Sequence, residues 1–176
     1  MGDTGIESKQ RRGRLTKPTV LKAGHDVGSF DCGHPELTNW LKSRAHQAAE
    51  SDTARTFVVC RGNKTVVAYM SLAAGGVEHK EAPGALKRNT PDPIPVFILA
   101  RLAVDRNEQG RGIGRALLSD AMRRVILAGK HIAARALLVH ALDGEVATYY
   151  ESFGFRRFMP GANTLYLPMK TIREGL

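Results

Sequence analysis

Residues 109–115 read Gln109, Gly110, Arg111, Gly112, Ile113, Gly114, Arg115, between a strand-like apolar run and a helix-like periodic segment. Glycines at this spacing let the main chain approach an anion closely, the unpaired amides of a helix start point outward, and the helix dipole favours negative charge there. Arg111 and Arg115 are spaced to add charge-assisted contacts. The chemistry this suggests is phosphate binding; a plain loop-to-helix turn is the alternative. The turn has no Gly-Lys-Ser/Thr, so a P-loop would lack both its lysine and its magnesium-binding hydroxyl. It also comes late in the chain, whereas a dinucleotide turn opens the first strand–turn–helix unit of a larger parallel sheet. A second group able to do chemistry is the pair Tyr149 and Tyr150, which on a helix point about 100° apart, so that only one can face a given cleft. The six histidines form no HxxxH or HExxH array, and Cys32 and Cys60 stand in no CxxC pair, so no metal site and no disulfide framework is expected.

The elements that must position these residues follow from periodicity. Residues 96–104, VFILARLAV, are almost continuously apolar and predict a central strand covered on both faces. A helix is expected over 112–128, where Ile113, Leu117, Leu118, Ala121, Met122 and Val125 recur at helical spacing, ending at Gly129. Before them, a helix beginning at Pro35 carries Leu37, Trp40, Leu41, Ala45 and Ala48 as one stripe. Residues 56–61 and 65–72 read as a hairpin around Gly62 and Asn63. The Gly- and Pro-rich stretch 73–95 reads as a long basic loop. After them come a strand over 136–140, a helix capped by Asp143 and closed by Gly154, and strands over 155–158 and 164–167. The expectation is a mixed α/β sandwich around one sheet.

The 176 residues suit one domain with a single core, 17–176, behind a flexible basic tail, 1–16. The net charge of +9 favours a polyanionic partner. Lys9, Arg11, Arg12, Arg14 and Lys17 face Asp3 and Glu7 in the first 17 residues, so much of the surplus lies in the domain itself. The apolar runs are too short for a membrane span, and the N-terminus has no hydrophobic region behind its bases. A chain without membrane attachment, working in a reducing cytoplasm, is expected.

The order RLAVD, QGRGIG, a helix, and then YYESFGF resembles the GNAT superfamily of N-acetyltransferases. The resemblance covers roughly residues 19–169, and Gln109, Gly112 and Gly114 match the fixed positions of the family's Q/R-x-x-G-x-G/A turn. It implies a mixed, mostly antiparallel sheet flanked by helices and splayed where acetyl-CoA enters. The pyrophosphate would lie on residues 109–115, and the main chain of Leu102, Ala103 and Val104 would align the pantetheine and offer an amide to the developing oxyanion. Tyr150 matches the family's general acid toward the leaving sulfur. Asp143 stands where many relatives carry Asn and is read as a cap only. No general base stands out, and an α-amino group with a pKa near 8 already has a neutral fraction at pH 7.

A closer resemblance is to the GNAT toxins of bacterial toxin–antitoxin pairs, carried by FDCGHPELTNWL at 30–41, PVFILARLAVD at 95–105 and YYESFGF. It implies acetylation of the amino group of aminoacyl-tRNA, a ribbon-helix-helix antitoxin as partner, and a homodimer. Arg55, Lys87, Arg88 and Arg101 are the candidate acceptor contacts. An enzyme acting on a small amine or a protein N-terminus, or a non-catalytic acetyl-CoA-binding module, would share the same turn.

Overall fold

A computed structural model describes residues 13–175. In chain order the elements are β1 (Thr19–Val20), α1 (Pro35–Ser43), α2 (Ala45–Glu50), β2 (Arg55–Arg61), β3 (Thr65–Val77), α3 (Gly84–Lys87), β4 (Ile94–Val104), α4 (Ile113–Gly129), β5 (Ala136–His140), α5 (Gly144–Glu151), β6 (Arg156–Arg157), β7 (Thr164–Pro168) and α6 (Met169–Gly175). The strands form one seven-stranded sheet in the order β1-β2-β3-β4-β5-β7-β6, so the apolar run does become the middle strand. β4 and β5 are parallel, while β1 with β2, β5 with β7, and β6 with β7 are antiparallel. β2 and β3 are neighbours joined through Gly62, whose φ of +68° suits the expected hairpin.

The described residues comprise two compact units, 13–71 with 101–118, and 72–100 with 119–175. In the first, Phe30, Leu41, Val58, Cys60, Val66, Tyr69 and Ala103 form the centre of the core, with Leu37 and Trp40 of α1 packed against it. The Tyr69 hydroxyl donates to the Leu37 carbonyl at 2.6 Å, which satisfies the one polar atom of a buried ring. Residues 1–12 of the expected tail lie outside the described residues. Residues 13–16 run beside β2: Thr16 N donates to Cys60 O at 2.8 Å, and Gly62 N to Arg14 O at 2.9 Å. In the second unit, Val77, Leu86, Ile94, Val96, Ala136, Leu138 and Tyr166 pack together.

Four local expectations change. The single stripe 35–48 is two helices, because Arg44 leaves the helical region at φ −123° while Ala45, fully buried, keeps the apolar face in line. The loop expected over 73–95 is shorter: β3 runs on to Val77 through Gly75 and Gly76, α3 forms inside the stretch, and β4 begins at Ile94. Gly75 and Gly76 are strand glycines here, since a Cβ on Gly75 would collide with Ile98 Cδ1 and one on Gly76 would stand 3.1 Å from Pro93 Cβ. The strand expected over 155–158 narrows to Arg156 and Arg157, and α6 is an added helix held by buried Met169 and Ile172. β4 is also less enclosed than a two-sided core strand. Ile94, Val96, Leu99 and Ala103 are buried, while Phe97, Ile98, Leu102 and Val104 are half-buried.

Candidate active site

The end of β4 and the turn after it are knitted to residues 31 and 32 by hydrogen bonds through buried Asp105 and exposed Arg106 and Gln109. Asp105 accepts from the amides of Asp31 at 3.0 Å and Asn107 at 2.9 Å, and its own amide donates to Val67 O of β3 at 2.8 Å. Arg106 N donates to Asp31 O at 2.8 Å. Gln109 donates from Nε2 to Cys32 O at 3.1 Å and Val104 O at 2.9 Å, so its side chain shapes the turn from within. Glu108, buried, accepts from Arg61 Nε at 2.6 Å and Nη2 at 2.7 Å. Those hydrogen bonds push the Arg61 guanidinium further up from an already high pKa.

Gly110 and Gly112 then take φ of +77° and +82°, the left-handed region that only glycine enters without strain. A Cβ at either would meet no atom within 4 Å, so backbone conformation rather than crowding requires glycine at both positions, and open space lies beside them. Ala116 N donates to Gly112 O at 3.0 Å as α4 begins, and buried Ile113 anchors that first turn. The first turn of α4 contains no acid and carries exposed Arg115. This is the reverse of what a helix dipole prefers alone, and it suits a bound anion. Arg111 Nη1 lies 3.2 Å from Glu108 Oε2 with its side chain still 60% exposed. Beneath the turn a cleft of about 290 Å³ is lined by Ser29, Arg61, Thr65, Val66, Val67, Asp105, Asn107, Glu108 and Arg111. It holds as many acids as bases, so the anion-favouring side is the glycine turn and not this cleft.

Pairing of β4 with β5 runs from Phe97↔Leu137 to Leu99↔Val139, and β4 continues to Val104. Ala103 points into the first unit's core, whereas Leu102 and Val104 are half-buried; the expectation for this segment concerned its main chain.

Tyr150 belongs to the second unit. α5 is capped as expected, the Asp143 carboxylate accepting from Val146 N at 2.9 Å. This orientation turns Tyr150 inward, 5% exposed, and leaves Tyr149 39% exposed. The Tyr150 ring stands edge-on to Tyr149 and Phe155, each at 5.5 Å. Burial, and secondarily the neighbouring Tyr149 phenol, pushes its hydroxyl well above the usual phenol range, so it keeps its proton at neutral pH.

The acceptor candidates divide. Arg101 lies 4.0 Å above the ring of Trp40, which itself stacks on Tyr69, so its guanidinium is already engaged by an aromatic face. Arg55 pairs with Asp52 at 3.1 Å and reaches Ala49 O. Lys87 is half-buried at the end of α3, and Arg88 after it is exposed. Among the described residues, no group of three or more His, Cys, Asp or Glu is placed to hold a metal ion, and no helix is long and apolar enough to cross a membrane. Sequence reasoning missed Arg61 and Glu108, which show in the sequence only as unremarkable charges.

A seven-stranded mixed sheet whose central strand feeds a glycine turn at a helix start presents main-chain amides to an anion at that turn. The chain belongs to the GNAT acetyltransferase family, whose Acetyltransferase (GNAT) domain matches residues 52–157. It is 44% identical over 156 residues to the tRNA-acetylating toxin of Mycobacterium tuberculosis, a match spanning 89% of this chain and 93% of that protein. AtaT complexed with acetyl-methionyl-tRNAfMet has 30% identity and a TM-score of 0.83, covering 92% of this chain and 98% of that one. A tyrosine-to-phenylalanine mutant of the toxin AtaT, bound to the C-terminus of the antitoxin AtaR and acetyl-CoA, has 30% identity and a TM-score of 0.78 over 91% of this chain and 96% of that one. The protein is an acetyltransferase with acetyl-CoA as its donor.

Proposed function

We propose that this acetyltransferase is a toxin that acetylates the α-amino group of aminoacyl-tRNA and thereby blocks translation in the cytoplasm. The observation that carries the reading is the 44% identity, along nearly nine-tenths of the chain, to a tRNA-acetylating toxin. The surplus of positive charge agrees with a nucleic-acid acceptor.

In this reading the amides of residues 109–115 hold the donor's diphosphate, with Arg111 and Arg115 adding charge at its edge. The main chain of Leu102, Ala103 and Val104 aligns the pantetheine arm and polarises the thioester carbonyl. The neutral α-amine attacks the acetyl carbon, the C–S bond breaks, Tyr150 gives its proton to the departing sulfur, and the amine proton passes to water. Arg55 and Arg101 are already engaged by Asp52 and the Trp40 ring, which favours Lys87 and Arg88 among the four acceptor candidates. A ribbon-helix-helix antitoxin restrains the enzyme, and the working form is a homodimer.

Radiolabelled acetyl-CoA with a charged-tRNA pool, polyamines and free peptides in parallel reactions tests the acceptor. Label recovered on the aminoacyl group supports the proposal. Label on polyamines or peptide N-termini alone would establish the small-amine or protein reading instead, and binding of donor without transfer to any of them would leave a binding module.

A further inference from the structure

The glycine turn has no side chains at Gly110 and Gly112 with which to hold itself, and the protein leaves a cleft of about 290 Å³ beneath it. Packing therefore cannot fix its position on that side. An ion pair between two of the cleft's lining residues ties the turn to β2. Glu108, immediately before Gln109, takes two hydrogen bonds from Arg61 at the end of β2, at 2.6 and 2.7 Å, and a third from Arg111 at 3.2 Å. The pair is sheltered, with Arg61 and Glu108 side chains 16% and 9% exposed. Arg61 is fixed in turn from the other side, donating from Nη1 to Gly13 O at 2.6 Å.

We infer that Arg61 and Glu108 are positioning residues for the acetyl donor, a strut from β2 that sets where the turn's amides and the Arg111 guanidinium stand. A two-point guanidinium–carboxylate contact fixes angle as well as distance, which a point charge cannot do. A sheltered ion pair of this kind contributes more to geometry than to net stability. Because Glu108 also holds Arg111, it aims an exposed cation while anchoring the backbone two residues before Gly110. The inference rests on the reading that residues 109–115 hold the donor's diphosphate.

The test compares two donors with charged tRNA as acceptor: acetyl-CoA, and S-acetylpantetheine, which has the thioester arm but no diphosphate. Glu108→Gln and Arg61→Lys are expected to raise KM for acetyl-CoA on the order of tenfold or more with little change in kcat. Their kcat/KM with S-acetylpantetheine should stay within about twofold of the unmodified enzyme. Unchanged KM for acetyl-CoA, or equal losses with both donors, overturns the inference. If Glu108→Gln does not fold, Arg61→Lys carries the test alone, since it keeps the charge while losing the two-point contact with Glu108 and the bond to Gly13 O. The unmodified enzyme separates the two levels. Equal use of both donors would remove the diphosphate reading and the strut with it, whereas a strong preference for acetyl-CoA that both variants retain would remove the strut only.

Discussion

Replacing Gly112 by alanine separates backbone strain from ligand contact, provided a matched control exists, and Gly161 supplies one. Gly112 has φ +82° and Gly161 has φ +78°, and a Cβ at either meets no atom within 4 Å. Both substitutions therefore impose the same left-handed penalty, about 1–2 kcal/mol, without a clash. At roughly 2–4 °C per kcal/mol for a chain of this size, each should lower Tm by about 2–8 °C. The two differ in what stands outside the chain. At Gly112 the new methyl would occupy the open space where the turn's amides are proposed to meet the diphosphate; Gly161 lies in the connection between β6 and β7. Calorimetric titration with acetyl-CoA should show affinity falling at least tenfold for Gly112→Ala, about 1.4 kcal/mol, and less than twofold for Gly161→Ala. Equal affinities at equal loss of Tm would refute the reasoning, because Gly112 would then be a conformational requirement of the turn with no ligand beside it.

Tyr150→Phe should lower kcat by about 10²–10⁴-fold while acetyl-CoA affinity changes less than twofold, since it removes only the phenol proton proposed to reach the leaving sulfur; unchanged turnover in steady-state assays would exclude Tyr150 as the acid. Asp143→Ala should cost about 1 kcal/mol through loss of the α5 cap, seen in urea unfolding, with acetyl-CoA affinity unchanged; a fivefold loss of affinity would instead place its carboxylate at the donor. Burial raises the pKa of both Tyr69 and Tyr150 in the folded state. Above pH 10 the unfolded chain therefore releases phenolic protons that the folded chain keeps, so stability is full below that pH and falls as pH rises through it. The slope is about 1.4 kcal/mol per pH unit for each tyrosine; urea midpoints that stay flat from pH 10 to 11 would contradict it.

Signals contained within a few residues were legible. The bounds of β5 matched their expectation, Asp143 caps α5 through an amide three residues on, and β4 stands mid-sheet as its apolar run required. Where a residue's role depends on a distant neighbour, local reading failed in a consistent direction. Gly75 and Gly76 have turn composition, yet they serve the close approach of Ile98 in the next strand and of Pro93 just before it. Arg101 reads as a free base on a strand, and only the fold brings Trp40 under it.

The glycine turn shows the same division inside one motif. Its conformational demand is written in Gly110 and Gly112, because positive φ is a property of single residues. Its anchoring is not, because Asp105 meets residue 31, Gln109 meets residue 32 and Glu108 meets residue 61, each brought near by the sheet and not by the chain. The spacing of glycines thus tells where an anion can approach, and the long-range polar contacts decide how rigidly that approach is held. Affinity for a diphosphate depends on both, since amides that must be ordered on binding cost conformational entropy that a pre-set turn has already lost on folding. A turn motif without anchors would bind the same chemistry more weakly, which is why Glu108 and Arg61 belong to the account of this site although neither contacts the donor in the proposed arrangement.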